Sequence, residues 1–186
     1  MLIQKIFERY KNTSIFTKKD LLLFLQEDSK KINSLISYLI KQKKIYRLGP
    51  GQYSLNSNPL VIGFAYRPFY YGLQNALTIH NLWGQATNPV IITSKKARIG
   101  EKEINGQKVI IHRIKQKYLG GFELKEVSGI NVPVSDLEKT YIDFFHFKIK
   151  LDKNTKEEIL KKLNKKKLKD YLQIYPKSIQ TTVLKG

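Results

Sequence analysis

The sequence predicts an α+β fold in two modules, on the strength of three observations. Apolar residues recur at three- and four-residue steps between Leu2 and Ile40, the period of packed helices. Short β-branched runs then cluster between Pro89 and Val134, punctuated by Asn105-Gly106 and Ser128-Gly129, both hairpin signals. Helical spacing returns from Leu137 to Tyr175. The expected architecture is a helical module closed by a hairpin over 1–58, then a mixed α/β module over 59–186. That second module should hold a small, mainly antiparallel sheet and C-terminal helices.

In the first module, residues 2 to 10 place Leu2, Ile3, Ile6, Phe7 and Tyr10 on one side of a helix. Thr17 is positioned as an N-cap with Asp20 three residues on, as in a capping box, ahead of the stripe Leu21, Leu22, Leu25. Asp28-Ser29 breaks that helix and caps the next. There Ile32, Leu35, Ile36, Leu39 and Ile40 share a face. Ile45 to Leu48 and Gln52 to Leu55 then flank Gly49-Pro50-Gly51, two strand halves around a glycine-rich tip. Helix, turn, helix and two-stranded wing together make the winged helix-turn-helix pattern.

The remainder of the second of those two helices, Lys30, Lys31, Asn33, Ser34, Ser37, Tyr38 and Lys41, points outward and holds no acid. Ammonium groups suit phosphates, and short amides and hydroxyls suit base edges in a major groove. Lys18, Lys19 and Arg47 are placed to hold phosphates, Arg47 from beside the wing tip. Thr17 and Gln52 complete the candidate DNA-contacting set. The plainer alternative, a solvated basic face, explains the helix alone but not its order with the glycine-tipped hairpin.

Composition agrees. The 186 residues contain 34 Lys plus Arg against 15 Asp plus Glu, a formal charge of +19. Residues 1–60 hold 11 basic and 4 acidic side chains, 61–150 hold 13 and 7, and 151–186 hold 10 and 4, so the excess runs through the whole chain. Lysine bias in the coding genome would give a similar spread without selecting a partner. A field of that sign favours polyanions, with nucleic acid ahead of an anionic membrane. With no cysteine there are no disulfides or thiolate metal sites. No early apolar stretch suits a signal peptide or a membrane span, and a cytoplasmic protein is expected.

Asn56 to Pro59 is expected to be a linker. Leu60 to Ala65 suits a strand or the seat of a helix, and Phe69 to Leu82 a helix with Gly72 and Ala76 as a small-residue seam. His80 near its end is expected to be structural, since no ligand sits at a useful spacing. Pro89 to Thr93 suits a buried strand. Hairpins are expected over 98–114 and 122–134, and Asp136 should cap a helix from Leu137 to Phe147 that buries Leu137, Tyr141, Ile142, Phe144 and Phe145. Two amphipathic helices follow, Thr155 to Leu163 and Lys166 to Tyr175, split by Asn164 and stopped by Pro176. The tail from Lys177 carries no signal. Lys161, Lys162, Lys165, Lys166, Lys167 and Lys169 are expected to form a mostly solvated side, the alternative being a hold on a nucleic-acid backbone or an acidic partner.

The case for catalysis is thin. Glu123-Leu124-Lys125 matches half of a restriction-type nuclease site, whose acidic partner would have to be Glu101 or Glu103 across a hairpin. A cross-strand charge pair at the surface explains it better. There is no phosphate-cradling glycine loop, activated-serine elbow or histidine pair, and neither a cofactor nor a metal is expected.

Three segments, taken in order, resemble the AbiEi family of antitoxins and transcriptional regulators of type IV toxin–antitoxin systems. They are IYRLGPGQY (Ile45 to Tyr53), YYGLQNALTIHNLWG (Tyr70 to Gly84) and PVSDLEKTYIDFF (Pro133 to Phe145). The resemblance spans most of residues 15 to 147. It implies a winged helix that represses its own operon at promoter inverted repeats, and a C-terminal domain that counters a nucleotidyltransferase-like toxin. The region after Phe147 is shorter and richer in lysine than the family pattern. The leading expectation is thus a sequence-specific double-stranded DNA-binding regulator. The alternatives are a metal-dependent nuclease targeted by a winged helix, and a protein-interaction module.

Overall fold

The computed structural model describes residues 2–185 and divides into two compact units. The first comprises 1–66 together with 103–107, and the second 67–102 together with 108–186.

In the first unit, α1 (Leu2–Tyr10), α2 (Lys18–Leu25) and α3 (Ser29–Lys41) surround a three-stranded sheet of β1 (Phe16–Thr17), β2 (Tyr46–Gly49) and β3 (Gln52–Ser54), in the order β1-β3-β2. β1 is too short to leave a periodic signal and was not expected. It pairs antiparallel with β3, Phe16 opposite Tyr53 and Thr17 opposite Gln52, tying the start of α2 to the hairpin. The core joins Ile6, Tyr10, Phe16, Leu21, Ile32, Ile36, Leu39, Ile45 and Tyr53. Residues 59–66, expected to be strand or helix seat, form a 3₁₀ segment (Pro59–Tyr66) whose Leu60 to Ala65 are all buried. That burial moves the end of the unit beyond the expected linker at 56–59.

Apart from 103–107, which belong to the first unit, the second unit is built on a sheet of β4 (Phe69–Tyr71), β5 (Val90–Thr93), β6 (Gly100–Ile104), β7 (Gln107–Arg113), β8 (Phe122–Val127) and β9 (Ile130–Ser135). Strand order is β6-β7-β5-β4-β9-β8. β4 and β5 pair antiparallel, as do β8 and β9, whereas β4/β9 and β5/β7 are parallel. The sheet is therefore mixed and six-stranded, larger than the small antiparallel one expected. Both hairpin turns take left-handed backbone at two successive residues, φ 53° and 74° at Asn105-Gly106 and 50° and 78° at Ser128-Gly129, as a type I′ turn requires.

The main correction lies at 69–82. Instead of one helix, Phe69–Tyr71 is a central strand, and only Leu73–Ile79 is helical (α4). A strand buried on both faces loses its alternation, so three consecutive aromatics are as compatible with β4 as with a helix. Gly72 between them packs closely against β5, where a Cβ would stand 2.3 Å from Ile92 Cδ1.

α5 (Leu137–His146) packs against α4, α7 (Lys165–Leu172) and α8 (Lys177–Lys185), with α6 (Lys153–Lys162) alongside. Asn164 caps α7, accepting from the backbone N–H of Lys166 and Lys167. α8 occupies the stretch that carried no signal. Its buried content is chiefly Val183, with Ile179 half-buried one turn earlier, too little to show a period.

Gly120 and Gly121 offer a matched test of the packing. A Cβ at Gly120 meets nothing within 4 Å, whereas at Gly121 (φ 72°) it would lie 2.8 Å from both Lys139 Cβ and Tyr171 Cε2. Gly121→Ala is expected to cost about 2–4 kcal/mol, and Gly120→Ala less than about 1 kcal/mol, read from urea midpoints at constant m-value. Equal effects would show that the loop relaxes freely.

Candidate nucleic-acid interface

Local chemistry fixes where α3 begins. Asp28 Oδ1 accepts from the backbone N–H of Lys30 and Lys31 at 2.8 and 2.9 Å. Those two bonds, that of Lys31 foremost, hold the Asp28 carboxyl below its ordinary pKa. The capping box one helix earlier is complete. Asp20 N–H donates to Thr17 Oγ1 at 3.1 Å, and Thr17 N–H donates to Asp20 Oδ2 at 2.7 Å. The Thr17 hydroxyl also donates to that carboxylate at 2.8 Å, so the side chain belongs to the cap.

With Ile32, Ile36 and Leu39 buried and Leu35 and Ile40 half-buried, the opposite flank of α3 is open. Lys30, Lys31, Asn33, Ser34, Ser37, Tyr38 and Lys41 are all exposed, Tyr38 to 50%. That flank is less free of acid at its N-terminal end than the helix sequence alone suggests. Glu27 reaches Lys31 Nζ at 2.8 Å from the preceding turn, and Asp28 occupies the helix N-terminus. Two carboxylates there leave no seat for a phosphate at the positive end of the helix. The flank from Asn33 onward carries no such charge.

Lys18 is half-buried and donates to Ser29 Oγ at 2.9 Å, bridging α2 to α3, while Lys19 is exposed. On the hairpin Arg47 is exposed, its guanidinium carbon 5.8 Å from the Tyr53 ring centre. Gln52 is half-buried and folds towards Gly49, its Oε1 lying 3.1 Å from where a Gly49 Cβ would stand. The α3 side chains, Lys19 and Arg47 are thus displayed, whereas Thr17, Lys18 and Gln52 are partly engaged in holding the elements together. Exposed Gln42, Lys43 and Lys44 extend the basic end of α3. The run KQKK was readable in the sequence, but Lys43 sits at φ 52°, beyond the helix.

Two other segments singled out in the sequence have structural roles. His80 ends α4, its Nε2 is 2.7 Å from the Ser135 carbonyl, and Lys125 Nζ lies 3.3 Å from its Nδ1. Glu123 pairs with Lys125 along its own strand at 3.2 Å, and not across strands as expected. Glu101 and Glu103 sit on β6, at the opposite edge of the sheet from β8. Five strand spacings, about 24 Å, separate them from Glu123, so they do not share a metal with it. No cluster of His, Asp and Glu able to hold a metal occurs among the described residues.

The segment from Pro133 to Phe145 forms a buried polar network. Lys139 and Asp143, one turn apart on α5, make an ion pair while 2% and 0% exposed, and Tyr70 OH donates to Asp143 Oδ2 at 2.7 Å. Burial pushes the Asp143 carboxyl up and the Lys139 ammonium down, each opposed by the other's charge, and Tyr70 is raised well above an ordinary phenol. Nearby, Asp136 accepts from Lys139 N–H at 2.8 Å and from Tyr171 OH at 2.8 Å, and Lys167 bridges Asp136 and Glu138.

No family model matches this chain, and no curated protein does. Its structure is similar to the crystal structure of the RV2827C protein from Mycobacterium tuberculosis, with a TM-score of 0.61 and 14% identity over 91% of this chain and 69% of that one. At that identity the likeness concerns the fold. No helix among the described residues is long and apolar enough to cross a membrane.

Breaking the buried pair from one side leaves an uncompensated charge. Asp143→Ala is expected to cost about 3–5 kcal/mol, and adding Lys139→Met to it should recover part of that loss. Urea titration of both variants checks the sign. Additive losses would mean that the two groups do not depend on each other.

Proposed function

We propose that the first unit is a winged helix-turn-helix that binds double-stranded DNA with sequence preference, and that the protein is a transcriptional regulator. The observation that carries this reading is the flank of α3. Seven polar or basic residues face solvent on a helix whose other side is locked into the core, and the Arg47 hairpin follows it. A helix of this length, 13 residues, spans about 20 Å, enough to cross a major groove about 12 Å wide.

The side chains divide by chemistry. Asn33, Ser34, Ser37 and Tyr38 read base edges. Lys19, Lys30, Lys41 and Arg47 hold phosphates, with Lys18 fixing the joint between α2 and α3. Lys31 contributes less, since Glu27 neutralises it.

On the further resemblance to AbiEi proteins, we infer an autorepressing antitoxin whose operon also encodes a nucleotidyltransferase-like toxin. Two of the three resembling segments fall on interior elements, β4–α4 and β9–α5. They supply Tyr70, Asp136, Lys139 and Asp143 to the buried network. These segments supply the scaffold of the second unit.

Fluorescence anisotropy with the protein's own promoter duplex and a random duplex tests base readout. Asn33→Ala and Ser37→Ala are each expected to cost about 1–3 kcal/mol on the promoter only. Lys30→Gln should weaken both duplexes and lower the salt slope by about one. Equal losses on both duplexes for all three variants would contradict base readout.

A further inference from the structure

The second unit contains a cleft that DNA binding by the first leaves unused. It opens at the carboxyl ends of β5 and β7, adjacent parallel strands that end at Thr93 and Arg113. The carboxyl ends of parallel strands are a recurrent ligand seat in open α/β sheets. Here Ser94 and Lys96 come from the loop after β5, and Arg113, Lys115 and Gln116 from the end of β7 and the turn beyond it. The volume is about 640 Å³, inside the range of small-molecule sites.

Three features give the cleft a sign. Lys96, Arg113 and Lys115 line it, all three are exposed, no carboxylate lines it with them, and none of the three forms an ion pair among the described residues. Like charges held in one concavity repel, and a polyvalent anion relieves that repulsion. The first turn of α8 forms a second wall through Pro176 and Ile179. Both Ile179 N–H and Gln180 N–H donate to the Pro176 carbonyl, so the helix starts there with its positive end at the cleft.

The base is rigid and aromatic. Tyr118 stacks on Tyr175 with centroids 4.4 Å apart, and His146 stands edge-on to both. His146 Nδ1 is buried without a hydrogen-bond partner among the described residues. Burial, then the charges of Lys139 and Lys115, holds His146 below its ordinary pKa.

We propose that this cleft binds a small anion carrying two or more phosphate groups, held by Lys96, Arg113 and Lys115 beside the His146 ring. Arg113 offers a planar fork to one phosphate, and the two lysines act as point charges on its neighbour. A volume of about 640 Å³ matches one small molecule rather than a length of nucleic-acid strand. The assignment is independent of DNA binding by α3.

Calorimetry on the full chain tests it with ATP, inorganic tripolyphosphate and AMP. One site per chain is expected, with ATP and tripolyphosphate binding about tenfold or more tighter than AMP. Equal affinity for the first two would assign recognition to the phosphates alone, and tighter ATP would add the nucleoside. Arg113→Gln and Lys115→Gln should each weaken ATP about tenfold, while Lys169→Gln on α7 should change nothing. In the wild-type protein, ATP should shift the His146 ring nitrogen resonances, a readout that needs no variant. The proposal is overturned by absence of saturable binding, by ATP affinity unchanged in the two cleft variants, or by an equal loss in Lys169→Gln. It is also overturned if a short single-stranded oligonucleotide, and not ATP, is the ligand those variants lose.

Discussion

Burial of Ile32, Ile36 and Leu39 in the first core fixes the rotation of α3 about its own axis, and that rotation decides which side chains α3 offers to solvent. These residues sit at steps of four and three, so a single stripe is consumed by packing against Ile6, Tyr10, Phe16, Leu21 and Tyr53. Everything off the stripe faces water. A turn of the helix by one residue, about 100°, would bury Asn33 and Ser37 unpaired and expose isoleucines. The caps act with the stripe. Asp28 sets the first turn, and the Thr17–Asp20 box sets the helix before it.

The second unit rests on a different kind of constraint. Tyr70 on β4, Lys139 and Asp143 on α5, and Tyr171 and Lys167 on α7 are joined through carboxylates that have left water almost completely. Desolvating such groups costs more than an apolar contact of the same size, so the network serves geometry better than stability. It fixes α5 and α7 to the sheet at one register. Gly121 permits the close approach, with no room for a side chain between Lys139 and Tyr171.

Helices with one buried stripe were legible in the sequence. α1 and α3 stand within a residue of their expected bounds because their apolar residues recur at helical steps, and α5 does so on its Asp136 cap, although it is buried on every side from Glu138 to Phe144. The hairpin turns were legible too, since Asn-Gly and Ser-Gly tolerate left-handed backbone. What failed lacked a period. β4 is buried on both faces, β1 has two residues, and the buried content of α8 is chiefly one valine. The exposed flank of α3 followed from its stripe, whereas Glu27 folding back onto Lys31 did not, because a turn residue has no fixed direction in sequence. Lys96, Arg113, Lys115 and His146 come from three separate elements, and only parallel pairing of β5 with β7 brings their loops together.

Positive charge is spread along the entire chain, so charge alone does not say which surface meets DNA. Lysine acetylation of the wild-type protein, with and without its own promoter duplex and read by mass spectrometry, separates the surfaces directly. DNA binding through α3 protects Lys19, Lys30 and Lys41 and leaves Lys161, Lys162 and Lys169 labelled equally in both samples. Protection confined to the lysines of α6 and α7, with those of α3 still reactive, would contradict it.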